Sequence, residues 1–272
     1  MRPLSGLLPE QARAIRGVVF DLDDTILDHG ALTEAAFSAL FRLRESGLRL
    51  IACTGRPAGW GEVIQRQWPI DAAVVENGAL ALVTAADEAR ASRGMAVHGG
   101  LDLTAHREGG ARRRALLELA QELLDRFPDT ALADDNDLRV TDVTLDIGER
   151  RRIPAQDVAA MRAIAASRGV RTTASSVHLH LTYEADDKAS GVVRLLCERF
   201  GEDATAARAR YAFVGDSGND AAAFAAFSLT FGVANIRAHI QSLSVPPRFV
   251  ADSPMGRGFA EIAARIKALR AA

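Results

Sequence analysis

A short apolar run, Gly17-Val18-Val19-Phe20, stops abruptly at the polar cluster Asp21-Leu22-Asp23-Asp24-Thr25. A continuous apolar run ending this way predicts a buried parallel strand whose carboxyl end opens into a site. Over 32–46 the apolar positions fall at helical spacing (Leu32, Ala35, Ala36, Ala39, Leu40, Leu43), and Gly47 supplies a stop. A second strand is predicted over 48–53, broken by Thr54-Gly55-Arg56-Pro57. A helix over 58–67 follows, then a third strand over 72–75 that ends at Glu76-Asn77-Gly78. Strands alternating with helices predict βαβ units and a parallel sheet.

After about residue 85 the pattern changes. The stretch 111–127 reads as a helix, and 138–147 alternates, with Val140, Val143, Leu145 and Ile147 set against Arg139, Asp142, Thr144 and Asp146. A helix over 156–168 is closed by Gly169, and 177–183 alternates again. Half-exposed alternating strands mixed with helices predict an antiparallel α+β module packed on one face. From Lys188 the first pattern returns. Helices are predicted over 189–200, 219–227 and 257–270, with a strand over 211–214 and an apolar segment over 229–233. The expected architecture is a discontinuous α/β core, 1–84 and 187–272, with an α/β cap, 85–186, inserted between.

Composition narrows the function classes. The 272 residues are 48% hydrophobic and 25% charged, which suits a globular chain with a sizeable core, and the net charge of −2 offers no basic excess for nucleic acid. Cys53 and Cys197 are too few for a disulfide framework and read as reduced, buried thiols. No apolar run approaches the roughly 18–20 residues that span a bilayer. The first sixteen residues do not resemble a secretory signal, so the expectation is a cytoplasmic protein with neither membrane nor nucleic-acid partner.

Three strand ends deliver polar clusters: Asp21/Asp23/Thr25, Thr54/Arg56, and Gly215-Asp216-Ser217-Gly218-Asn219-Asp220. Ligands of an open parallel sheet bind outside the carboxyl ends of its strands, so these clusters should converge, joined by Lys188 at a helix start. Carboxylates with hard oxygens suit Mg²⁺, which commonly shares substrate phosphate oxygens. A lysine offsets the negative charge gathered in one small volume.

In this order, Asp21-Leu22-Asp23-Asp24-Thr25, Thr54-Gly55-Arg56, Lys188 and Gly215-Asp216-Ser217-Gly218-Asn219-Asp220 resemble the four motifs of the haloacid dehalogenase-like (HAD) superfamily. The resemblance implies a Rossmann-like parallel-sheet core. It makes Asp21 the nucleophile that becomes an aspartyl-phosphate, and Asp23 the general acid and then base. Thr54 would donate to the phosphoryl group and Lys188 would neutralise it. Asp21, the backbone carbonyl of Asp23, and Asp216 would hold Mg²⁺, with Asn219 and Asp220 supporting the metal or its waters. An aspartate at 23 argues for phosphate-ester chemistry, since the dehalogenase and phosphonatase branches lack it. Two positions depart from common relatives: Asp24 stands where many sugar-phosphatase relatives have glycine, and alanine follows Lys188.

Thirty-three positions separate Asp21 from Thr54, enough for a flap, a helix and a strand; 134 separate Thr54 from Lys188. The inserted module therefore follows the third strand. It resembles the type IIB (C2B) cap of the Cof-like, sucrose-phosphatase and mannosyl-phosphoglycerate-phosphatase group, as does the run Val75-Glu76-Asn77-Gly78-Ala79. That group acts on phosphorylated sugars and related small metabolites, and its cap is expected to close over the crevice. Candidate substrate contacts are Arg56, Asn77 and Gly78, with Arg56 either touching substrate or pairing with a core carboxylate. His178 and His180 share one side of a cap strand, as a metal pair or as polar lining of the entrance. Trp60 and Trp68 read as packing residues. The leading expectation is a Mg²⁺-dependent phosphatase acting on a small phosphorylated metabolite, as a monomer or weak dimer. A sugar phosphomutase and a non-catalytic metal-binding sensor on the same fold are the alternatives. A dinucleotide site is disfavoured, because the first strand ends in carboxylates with no glycine-rich turn.

Overall fold

The computed structural model describes residues 1–83, 103–175, 177–241 and 243–271. Its strands, in chain order, are β1 (Arg2–Pro3), β2 (Gly17–Phe20), β3 (Leu27–Asp28), β4 (Ala31–Leu32), β5 (Arg49–Cys53), β6 (Ala72–Val75), β7 (Leu80–Val83), β8 (Ala131–Leu132), β9 (Asp142–Asp146), β10 (Arg171–Ala174), β11 (His178–Thr182), β12 (Tyr211–Gly215), β13 (Leu229–Gly232) and β14 (Phe249–Val250). Among the described residues, eight of them form one sheet in the order β1-β14-β13-β12-β2-β5-β6-β7. Every pair in it is parallel except β6 with β7.

The parallel strands are short and mostly apolar because helices cover both faces. Val18, Phe20, Leu50, Ala52, Ala212 and Val214 pack on one side, with apolar residues of helices Glu34–Glu45 and Met255–Ala271. Val19, Ile51, Cys53, Tyr211 and Phe213 pack on the other, with helix Lys188–Phe200. Alternate residues of one strand thus belong to two cores. Helix Lys188–Phe200 starts on a capping box, in which Asp187 and Ser190 exchange hydrogen bonds, and this fixes where Lys188 enters.

A second, antiparallel sheet has the order β10-β11-β9-β8. Val143, Leu145, Leu179 and Leu181 pack on helices Leu103–Arg126 and Ala155–Ser167 through Leu116, Leu119, Leu123, Met161 and Ala165. The alternation over 138–147 predicted a half-exposed strand. Instead β9 starts only at Asp142, and all five of its residues are buried. Residues before it satisfy their backbone against the core: Glu76 accepts from the N–H of Val140 (2.9 Å) and of Thr141 (2.7 Å). Arg139 is fully buried, bonded to Asp135, Asp142 and the carbonyl of Gly55. The polar residues of the strand are covered by Asn136, Arg139 and His180 rather than by water.

The turn leaving β6 has three consecutive residues at positive φ: Glu76 (49°), Asn77 (56°) and Gly78 (106°). A Cβ on Gly78 would meet the carbonyl oxygen of Asp187 at 2.0 Å, so this turn abuts the start of the lysine-bearing helix. Gly78→Ala combines that clash with an unfavourable backbone conformation. It should destabilise the fold by about 3 kcal/mol or more, read as a lower urea midpoint with unchanged slope. Among the described residues no helix is long and apolar enough to cross a membrane.

Candidate active site

Parallel register brings the polar strand ends level. Phe20 stands beside Ala52 on one side and Val214 on the other, so Asp21, Thr54 and Asp216 emerge together at the carboxyl edge of β2, β5 and β12. The N–H of Asp21 still donates to Val214 O (2.9 Å) and that of Thr54 to Val74 O (2.9 Å), which anchors both residues to the sheet.

Lys188 Nζ lies 2.9 Å from Asp21 Oδ1 and 2.7 Å from Asp220 Oδ1, and all three side chains are buried. The other oxygen of Asp220 accepts the N–H groups of Asp216 (2.9 Å) and Ser217 (3.2 Å). Asp220 is therefore spent on holding the lysine and shaping the loop. Asp216 accepts from Thr25 Oγ1 (3.3 Å) and from Asn235 Nδ2 (2.9 Å). Asp21, Asp216 and Asp220 each offer an oxygen within 4.8 Å of the others.

Three buried carboxylates thus face a single ammonium. Burial pushes Asp21 up to about 7, with Lys188 opposing and Asp220 and Asp23 adding to the rise. Burial, then Asp220 and Asp21, likewise raise Asp216 well above the usual carboxylate range. Lys188 is raised: burial works against its charge, but Asp21 and Asp220 outweigh it. A site that leaves carboxylates short of positive charge fits a divalent cation. The hard-oxygen donors suit such a metal, and Asp21 and Asp216 are the residues free to hold it.

Asp23 points elsewhere. Its carboxylate is gripped by Arg56, with Nε at 3.0 and 3.1 Å and Nη2 at 2.6 Å. The guanidinium of Arg56 lies 4.1 Å from the ring centroid of Trp60. Of the two sequence readings for Arg56, the structure has the carboxylate pair. Thr54 Oγ1 accepts the N–H of Arg56 (3.1 Å), leaving its own hydroxyl hydrogen available. Asn219 and Ser217 face each other (2.8 Å) at the rim, and Asn77 is buried beside Gly55. Gly78 packs against Asp187 rather than lining the crevice.

Above these residues, Ser175 and Val177, between β10 and β11, and His178 and His180 of β11 close the crevice, which encloses only about 30 Å³. His178 Nε2 pairs with Glu149 (2.9 Å), and His180 Nδ1 lies 2.8 Å from Asp142 Oδ2, so the two imidazoles take separate carboxylates. A larger depression of about 1030 Å³ lies at the opposite, amino ends of the strands. It is lined by Arg13, Arg16, Arg49, Arg210 and Arg270 and holds none of the motif residues.

Residues 18–97 match the sequence profile of a family described as haloacid dehalogenase-like hydrolase. No curated protein matches its sequence. Among solved structures, protein 0175 of Thermoplasma acidophilum is similar at a TM-score of 0.68 with 20% identity, covering 93% of this chain and 98% of that one. The sucrose-phosphatase of Synechocystis sp. PCC6803, solved with sucrose and phosphate, gives a TM-score of 0.64 with 17% identity over 93% and 98% of the chains. The phosphatase BT1666 of Bacteroides thetaiotaomicron gives 0.60 with 15% identity over 97% and 99%. The likeness extends over core and insert alike, and the fold is a Rossmann-like core sheet with an inserted cap of the C2B architecture.

The crevice also has residues that sequence reading passed over. Asn235 follows the end of β13, the same kind of strand end that flagged Asp21 and Asp216, and ties Asp216 to the carbonyl of Asp24 (2.9 Å). Its own Oδ1 accepts the N–H of Met255 (3.1 Å), so its orientation is fixed. Cys53 adjoins Thr54, but burial raises its thiol well above the ordinary range, which keeps it protonated and unreactive.

Proposed function

We propose that the protein is a Mg²⁺-dependent phosphatase of small phosphorylated metabolites, sugar phosphates foremost, working through an aspartyl-phosphate on Asp21. The observation that carries this reading is the buried Asp21–Lys188–Asp220 chain, with Asp216 beside it, at adjacent strand ends. In this reading an oxygen of Asp21 attacks phosphorus as the ester P–O bond breaks. Asp23 gives its proton to the departing alcohol oxygen. Water then attacks the same phosphorus, Asp23 takes the proton back, and the bond to Asp21 breaks to release inorganic phosphate. Thr54 donates to a phosphoryl oxygen, and Lys188 offsets the charge of Asp21 and of the phosphoryl group. Mg²⁺, when held by Asp21, Asp216 and the carbonyl of Asp23, supplies charge compensation for the incoming phosphate. Because Arg56 holds Asp23 in this structure, delivery of the proton needs the Asp23 side chain to swing off that guanidinium.

Metal dependence gives a direct test. Phosphate release from p-nitrophenyl phosphate should require Mg²⁺ and stop with EDTA. Mg²⁺ at about a hundredfold over its Kd should stabilise the fold by about 2.7 kcal/mol, seen as a rise in Tm. Asp216→Asn should lose both responses. A protein that releases phosphate equally well in EDTA is not working by this route.

A further inference from the structure

We propose that the depression at the amino ends of the strands is a second binding site, for an oligophosphate anion (a chain of two or more phosphoryl groups), independent of the phosphatase reading. It encloses about 1030 Å³. Arg13, Arg16, Arg49, Arg210 and Arg270 line it, with Asp71 and Glu202 as its acidic residues. Five guanidiniums against two carboxylates leave an excess of three positive charges in one hollow of a chain whose net charge is −2. The two carboxylates are already engaged. Asp71 Oδ2 accepts the N–H of Leu50 (2.7 Å), and Glu202 accepts from Arg16 (3.2 Å) and from the hydroxyl of Tyr211 (3.2 Å). Arg13 and Arg210 are exposed, and among the described residues neither guanidinium has a hydrogen-bond or ion-pair partner.

The sheet holds three of these arginines in a row. Arg16 directly precedes β2, Arg49 opens β5 and Arg210 directly precedes β12, the adjacent strands that lead at their other ends into Asp21, Thr54 and Asp216. The N–H of Arg16 donates to the carbonyl of Arg210 (2.6 Å) and that of Arg49 to the carbonyl of Arg16 (2.9 Å), which locks their backbones side by side. Neighbouring strands lie about 4.8 Å apart, so the three starts span about 10 Å, more than a single phosphate covers. Arg49 is fixed further. It donates to Tyr211 Oη (2.5 Å), and its guanidinium lies 3.9 Å from the ring centroid of Phe200. Guanidinium forks set in advance suit phosphate oxygens, which they bind in pairs. No aromatic side chain lines the hollow, so nothing there would stack on a nucleobase, and the phosphate chain is the part of a ligand that it would read.

The test is titration calorimetry of metal-stripped, dialysed protein with inorganic tripolyphosphate, since without a cation the carboxylates of the crevice repel the same anion. One tripolyphosphate per chain should bind, at least about tenfold more tightly than orthophosphate or citrate at the same ionic strength. Arg13→Gln combined with Arg210→Gln should weaken it by about tenfold or more. The ligand-free Tm should stay that of the parent, because both side chains are exposed. Should the double variant not fold, backbone amide resonances of the unaltered protein decide. Those of Ala14, Gly47 and Ala209, which line the hollow, should move with tripolyphosphate, and those of Ser217 and Asn219 at the crevice should not. The proposal is overturned by an absence of binding, by citrate or a single-stranded oligonucleotide binding as tightly, by affinity that the double variant keeps, or by amide shifts confined to Ser217 and Asn219.

Discussion

Asp21→Asn should abolish turnover, lowering kcat by at least about 10⁴-fold with every ester, while the protein stays folded. An amide of the same shape cannot form the acyl phosphate, so no residual covalent route survives. The fold should tolerate the change for an electrostatic reason. Asp21, Asp216 and Asp220 crowd one lysine, and burial already pushes Asp21 up to about 7. Removing one of three competing negative charges relieves repulsion in the metal-free protein even as it removes a partner of Lys188. The expected pattern is therefore split: activity gone, metal-free Tm unchanged or higher. The variant should also respond less to Mg²⁺, because one carboxylate ligand is lost. Steady-state assays and thermal melts with and without Mg²⁺ check all three arms. Comparable loss of Tm and activity would mean that Asp21 is mainly a structural residue.

Lys188→Met should do the opposite to stability. The ammonium is 1% exposed and bonded to two carboxylates, so its removal leaves both buried without compensation. Deleting one partner of a buried ion pair costs about 3–5 kcal/mol, and a methionine of similar length fills the space without repairing the charge. Activity should fall by on the order of 10²–10³-fold beyond what unfolding explains, since the phosphoryl group loses a charge partner. Mg²⁺ should recover part of the lost Tm by replacing the missing positive charge. Urea denaturation with kcat measured on the folded fraction separates the two effects. Lys188→Met protein as stable as the parent would show that the carboxylates are compensated by some other group.

Much of this site could be read from the chain because buried parallel strands advertise their ends. Val18-Val19-Phe20 followed by Asp21, and Ala212-Phe213-Val214 followed by Gly215-Asp216, are abrupt apolar-to-polar transitions, and the register then places those residues side by side. The strand Asp142–Asp146 was harder. Its alternation announces two different faces but cannot say what covers the polar one, and here Glu76, Arg139 and His180 replace solvent. Two-residue strands such as Arg2–Pro3 and Phe249–Val250 are too short to carry a period, so the far edge of the sheet left no trace in the pattern. The pairing of Arg56 with Asp23 was one of two open alternatives because both residues sit at loop starts, where spacing does not set side-chain direction. Asn235 went unremarked since a lone asparagine after a strand has many uses. Its role emerges only from the contact with Asp216.

The covalent step at position 21 is open to direct chemical trapping. Protein turning over p-nitrophenyl phosphate with Mg²⁺ would be quenched in acid, reduced with borohydride and mapped by peptide mass spectrometry. Reduction converts an aspartyl-phosphate to homoserine, and the expected result is homoserine at position 21 and nowhere else. Homoserine at another aspartate, or an unmodified Asp21 in protein quenched during rapid turnover, would contradict the account.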